Sequence, residues 1–195
     1  CGLNPIADDV YFSISSNATD ESISFSEKDQ FFTSVEDIRF NLMFTVGGRL
    51  MSVPKSNLGQ IWKHFDTNKV REYYGTRYPL EVTICLNPDG GSQDSIFNNL
   101  EWTHHCIDTS NGGNLEDNIT GGILWNDYLT SIPVNAQSDI IKRFRISRMV
   151  IPRSTHDSIS RMRGNYLYAK LTFNPSSSNK MIIINDITLY YNGQR

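Results

Sequence analysis

Between residues 166 and 173 apolar and mixed positions alternate: Leu167, Ala169, Leu171 and Phe173 are interleaved with Tyr166, Tyr168, Lys170 and Thr172. A period of two puts one set on each side of an extended backbone, which predicts a strand with one buried face. Strands are likewise expected over 80–86, 99–107, 140–151 and 181–191. The last differs in kind: Met181, Ile182, Ile183 and Ile184 are apolar on both faces, which predicts a central strand covered on each side. In the first third, shorter strands are expected at 10–15, 22–25, 38–46 and 50–53. Gly47-Gly48 supplies a tight hairpin turn there, and 17–21 reads as a loop. Helix is expected only as short turns at 92–98 and 58–65.

Turn chemistry divides the second half into sheet-forming segments, at Asn87-Pro88-Asp89-Gly90-Gly91, Asn111-Gly112-Gly113-Asn114 and Asn174-Pro175-Ser176. Between 54 and 78 the alternation is lost, and Trp62, Phe65, Tyr73, Tyr74 and Tyr78 collect among basic residues. Rings of this size contribute strongly when buried, so the segment reads as a connector that docks on another surface. The fold class expected is all-β: an antiparallel β-sandwich in the C-terminal part, preceded by a short β-meander. The expected organisation is 1–53 as the meander or the edge of a larger β domain, 54–78 as the connector, and 79–195 as the sandwich.

Composition adds that the core is incomplete by itself. Only 38% of the 195 residues are hydrophobic, so part of the apolar surface is expected to be covered by neighbours. The formal charge of −3 conceals an asymmetry. Residues 1–40 hold eight acids and two bases, whereas 140–163 hold seven bases and one acid. Opposite charge in two regions suits an ordered, repeated contact between copies. In a continuous strand over 140–151, Arg143 and Arg145 share a face, and this cationic face suits phosphates or the acidic region of a neighbouring copy. The negative total favours the second.

There is no G-x-S-x-G, H-E-x-x-H, phosphate loop or dinucleotide fingerprint in the sequence. His104 and His105 are adjacent on an expected strand and point to opposite faces, as do His105 and Cys106. Cys1, Cys85 and Cys106 have no zinc spacing, and the alternation around Cys85 predicts a small buried or half-buried thiol. No enzyme activity, cofactor, metal or small-molecule substrate is expected. Cys1-Gly2 leaves open an alternative, a bacterial surface lipoprotein or glycan-binding β-sandwich module anchored through Cys1. Trp102 and Trp125 would be its exposed aromatics, and Trp125-Asn126-Asp127-Tyr128 its recognition segment. The start at Cys1 is otherwise expected to mark a processed product or a piece of a longer chain.

A set of short segments carries a family resemblance. They are Ile23-Ser24-Phe25-Ser26-Glu27-Lys28, Phe32-Thr33-Ser34, Ile61-Trp62-Lys63-His64, Tyr74-Gly75, Val82-Thr83-Ile84-Cys85-Leu86-Asn87-Pro88 and Ile96-Phe97-Asn98-Asn99-Leu100. Phe144-Arg145, Ile151-Pro152-Arg153, Arg161-Met162-Arg163-Gly164 and Ile184-Asn185-Asp186-Ile187 complete it. Together the chain resembles the C-terminal part of the muzzle, or tail stabilisation, proteins of crAss-like bacteriophages. The resemblance implies a structural virion protein of the distal tail, around the DNA exit channel of a short-tailed phage. It implies synthesis in the host bacterial cytoplasm, partners that are other copies and neighbouring tail proteins, and non-specific contact with exiting DNA. It carries no catalytic residues. The contact residues expected from charge are Arg143, Arg145, Arg148, Arg153, Arg161 and Arg163.

Overall fold

The computed structural model describes residues 1–4, 8–15, 20–65, 69–91, 94–156 and 160–193. Most of the loop expected at 17–21, and the first two residues of the turn expected at 92–98, lie outside them. The chain divides into two compact units, Cys1–Tyr78 and Pro79–Arg195.

In the first unit, β1 (Gly2–Asn4), β2 (Asp9–Ser15), β3 (Asp20–Ser26) and β4 (Phe31–Glu36) form one antiparallel sheet in that order. A second sheet joins β5 (Phe40–Val46), β6 (Arg49–Pro54) and β7 (Trp62–Lys63), and β8 (Glu72–Tyr73) pairs β9 (Thr76–Arg77). Gly47 and Gly48 close the β5–β6 hairpin with φ of 57° and 70°, the left-handed pair that a two-residue turn requires and that glycine adopts without steric cost. The core gathers Tyr11, Ile38, Phe40, Met43, Leu50 and Tyr73, with Phe65, Tyr74 and Tyr78 packed against it. Of the aromatic residues of 54–78, Tyr73, Phe65, Tyr74 and Tyr78 thus belong to this core or pack on it, and Trp62 meets Tyr74 edge-on at 5.9 Å. Trp62 and Lys63 pair with β6, so the helical turn expected at 58–65 is replaced by strand, whose backbone groups find partners on a neighbour.

The second unit is a two-sheet sandwich. One sheet runs β10 (Leu80–Leu86), β18 (Leu167–Phe173), β13 (Gly121–Trp125), β14 (Val134–Asn135). The other is built on β11 (Ser95–Asp108), which pairs β19 (Lys180–Gly193) along one flank. Along the opposite flank it pairs β12 (Asn114–Leu115), β16 (Ile146–Val150) and β17 (Arg163–Gly164), with β15 (Ile140–Arg143) outside β16. Phe97, Leu100, Trp102 and Cys106 of β11 and Met149 of β16 meet Leu124 of β13 and Leu167, Ala169, Leu171 and Phe173 of β18 in one buried cluster. Each large side chain enclosed this way contributes about 1.5–3 kcal/mol. The alternation read over 166–173 is therefore the face that makes the core.

Five expectations change. The strand expected at 140–151 is a hairpin, because Phe144 at φ 56° turns the chain between Arg143 and Ile146. Among the described residues β19 pairs β11 alone and is an edge strand, not a central one; Ile182 enters the core while Ile183 is half-buried on the other face. Cys85 is exposed: Ile84 and Leu86 take the core side of β10, so Cys85 is turned outward opposite Tyr168. Residues 95–98 open β11 rather than a helical turn, and Trp102 is fully buried with Nε1 donating to Asn118 Oδ1 at 3.2 Å.

Candidate intersubunit surface

The basic segment folds as the β15–β16 hairpin on the flank of β11. Its register sets Arg143 against Ile146 and Ile141 against Arg148, while Met149 and Ser147 are buried. The two-residue turn reverses which parity faces outward. Arg143 and Arg148 consequently share the outer face with Ile141, Ile146 and Val150, and Arg145 lies in the turn. In the continuous strand expected from the sequence, Arg143 and Arg145 would have shared a face with Ser147 and Met149.

The remaining arginines follow the same flank of β11. Arg148 stands opposite Glu101, Arg161 donates from Nη1 to Asn98 Oδ1 at 3.1 Å, and Arg163 stands opposite Ile96. The amide of His104 donates to the Arg145 carbonyl at 3.2 Å. From His104 to Ile96 is eight residues of strand, so five of the six arginines mark a row about 26 Å long. Arg153 stands apart, in the segment where its carbonyl accepts from Ile132 at 2.9 Å. His104 itself is buried, and that burial pushes its pKa down and favours the neutral imidazole.

Apolar side chains accompany the charges. Ile141, Ile146, Val150 and Phe144 are exposed, Phe144 at 98%. A groove of about 420 Å³ runs among Asn99, Glu101, Ile141, Arg143, Arg148 and Val150. Sequence reasoning found the arginines and missed the apolar partners. The available signal was Phe144 itself, a large ring between two arginines that has no place in a core if the chain turns there.

No protein-family model matches the chain. A comparison with curated proteins finds the muzzle protein of Bacteroides phage crAss001, 29% identical over 175 residues. The chain is similar to that muzzle protein over most of its length. The match covers 85% of this chain and 12% of the relative, so the chain spans a small part of the length of the curated relative it matches. The matched length is too great to exclude either unit of the chain.

Proposed function

We propose that the chain is a structural piece of a phage tail that acts through subunit packing rather than catalysis. The observation that carries this reading is the muzzle match over 85% of the chain. The proposed place is the distal tail around the DNA exit channel, in particles assembled from proteins made in the host cytoplasm. The proposed partners are further copies and adjoining tail proteins.

Packing geometry supports the reading. The arginine row offers cations beside exposed aliphatic side chains, a mixture that gains from apolar burial while charge sets the register. The complementary surface is proposed to be the acidic first unit of another copy. There the edge strand β4 leaves Phe31, Phe32 and Val35 exposed at 55%, 63% and 69%. Glu27, Asp29 and Glu36 lie in or beside that strand.

The test is assembly. In a phage carrying Arg143→Glu and Arg145→Glu, both exposed positions, tails are expected to be lost or unstable. Normal numbers of infectious particles from that double variant would refute the packing role. A gel-shift with duplex DNA separates the two uses of the row: normal tails with DNA binding lost in the double variant would move the arginines to the channel wall.

A further inference from the structure

A cavity of about 600 Å³ lies at one end of the sandwich, lined by Asp94, Asp127, Tyr128, Arg163, Asn165 and Tyr166 among others. The volume falls within the range of small-ligand sites, roughly 300–1,000 Å³. Its walls come from segments far apart in sequence. Asn126, only 8% exposed, ties them together: Nδ2 donates to the Arg163 carbonyl at 2.8 Å, while Oδ1 accepts from the amides of Tyr128 and Leu129 at 3.0 and 2.9 Å. Both ends of one buried amide are thus spent on holding the loop after β13 against β17. Gly164, at φ 149°, completes the join, since a Cβ there would lie 2.8 Å from Asn126 Nδ2.

The lining is chemically mixed in a specific way. Tyr128 is 87% exposed, and Asp127 and Tyr166 both line the cavity, where the neighbouring carboxylate helps push the Tyr166 hydroxyl pKa up. Behind Tyr166 the aromatic surface continues: its ring meets Tyr168 edge-on at 5.3 Å, and Tyr168 stacks on Trp125 at 5.6 Å and 27°. Two carboxylates against one guanidinium give the cavity a negative balance, which repels phosphate and sulfate. No group of three or more metal-ligating side chains occurs among the described residues, so a bound cation is not what the arrangement suits.

The geometry points to a saccharide site that takes a neutral pyranose. Such a ring has an apolar C–H face, which suits aromatic walls, and neighbouring hydroxyls that both donate and accept. Asp94 and Asp127 accept from hydroxyls, and Arg163 and the Asn165 amide donate to them. The site is proposed to bind and not to turn over its ligand; it shares Arg163 with the arginine row, and its test reads ligand binding rather than assembly.

The test is saturation-transfer NMR on the full chain with the methyl glycosides of glucose, galactose, mannose and N-acetylglucosamine, and the methyl glycoside of glucuronic acid as a charged control. At least one neutral glycoside is expected to receive saturation and to outcompete the glucuronide. Asp127→Asn and Tyr128→Ala are each expected to weaken it about tenfold, the scale of one hydrogen bond to a charged group or one lost aromatic wall. Transfer to none of the four neutral glycosides, preference for the glucuronide, or affinity unchanged in both variants would overturn the site. Tyr128 is almost wholly in solvent, so its variant keeps the test valid if Asp127→Asn disturbs the loop.

Discussion

The guanidinium carbon of Arg148 lies 5.2 Å from the centre of the Tyr190 ring. The two residues come from β16 and β19, on opposite flanks of β11, so the contact crosses the outer face of the central strand. Glu101 lies beneath it, paired in register with Arg148 and accepting from the Tyr190 hydroxyl at 3.4 Å. The three side chains couple the arginine row to the free edge of the sheet. A double-mutant cycle with Arg148→Met and Tyr190→Leu, read by urea unfolding, is expected to give a coupling of about 0.5–1 kcal/mol. Strictly additive effects would show that the contact contributes nothing.

Acid should destabilise the first unit through His64. Burial lowers its pKa from 6.5 to about 4, and its Nε2 lies 2.6 Å from Ser52 Oγ, which also contacts the Tyr74 hydroxyl at 2.6 Å. The unfolded chain takes up a proton near pH 6.5, whereas the folded chain resists until near pH 4. Stability is therefore fully present above pH 6.5 and falls as pH drops toward 4, by roughly 3 kcal/mol at most. In His64→Gln most of this slope should vanish. In the second unit His104, also pushed down by burial, gives a pH dependence of the same sign.

Gly122 has a steric reason to be glycine. A Cβ at this position would lie 2.6 Å from the Lys170 carbonyl oxygen, a backbone atom held in the β13–β18 pairing. Gly122→Ala is expected to cost roughly 2 kcal/mol, because the two strands must separate locally to admit it. An unfolding midpoint equal to that of the unsubstituted protein would contradict this close approach.

The cysteines should react in two classes. Cys1 and Cys85 are exposed and Cys106 is buried. Under native conditions a maleimide is expected to add to the first two, and a third adduct should form only in denaturant. Protection of Cys85 in the native monomer would place it against protein.

Much of the strand pattern was legible because strand alternation and turn composition are local properties. The pattern over 166–173 is the buried face of β18, and Gly47-Gly48 is the turn that its composition demanded. The hairpin tip at Phe144 was not legible, since a non-glycine residue with positive φ leaves no mark in composition. Nor was the outward turn of Cys85, which follows from Ile84 and Leu86 taking the core side.

The sequence by itself determined an all-β chain with an acidic first part, a basic segment over 140–163 and a likeness to phage muzzle proteins, because alternation, charge and short motifs are all read along the chain. Only the tertiary structure decided that β19 is an edge strand, that five arginines line one flank of β11, and that Asp94, Asp127 and Arg163 share one cavity. Those facts depend on which strand pairs with which. Pairing is set by burial and register between segments many residues apart, and no stretch of sequence carries it alone.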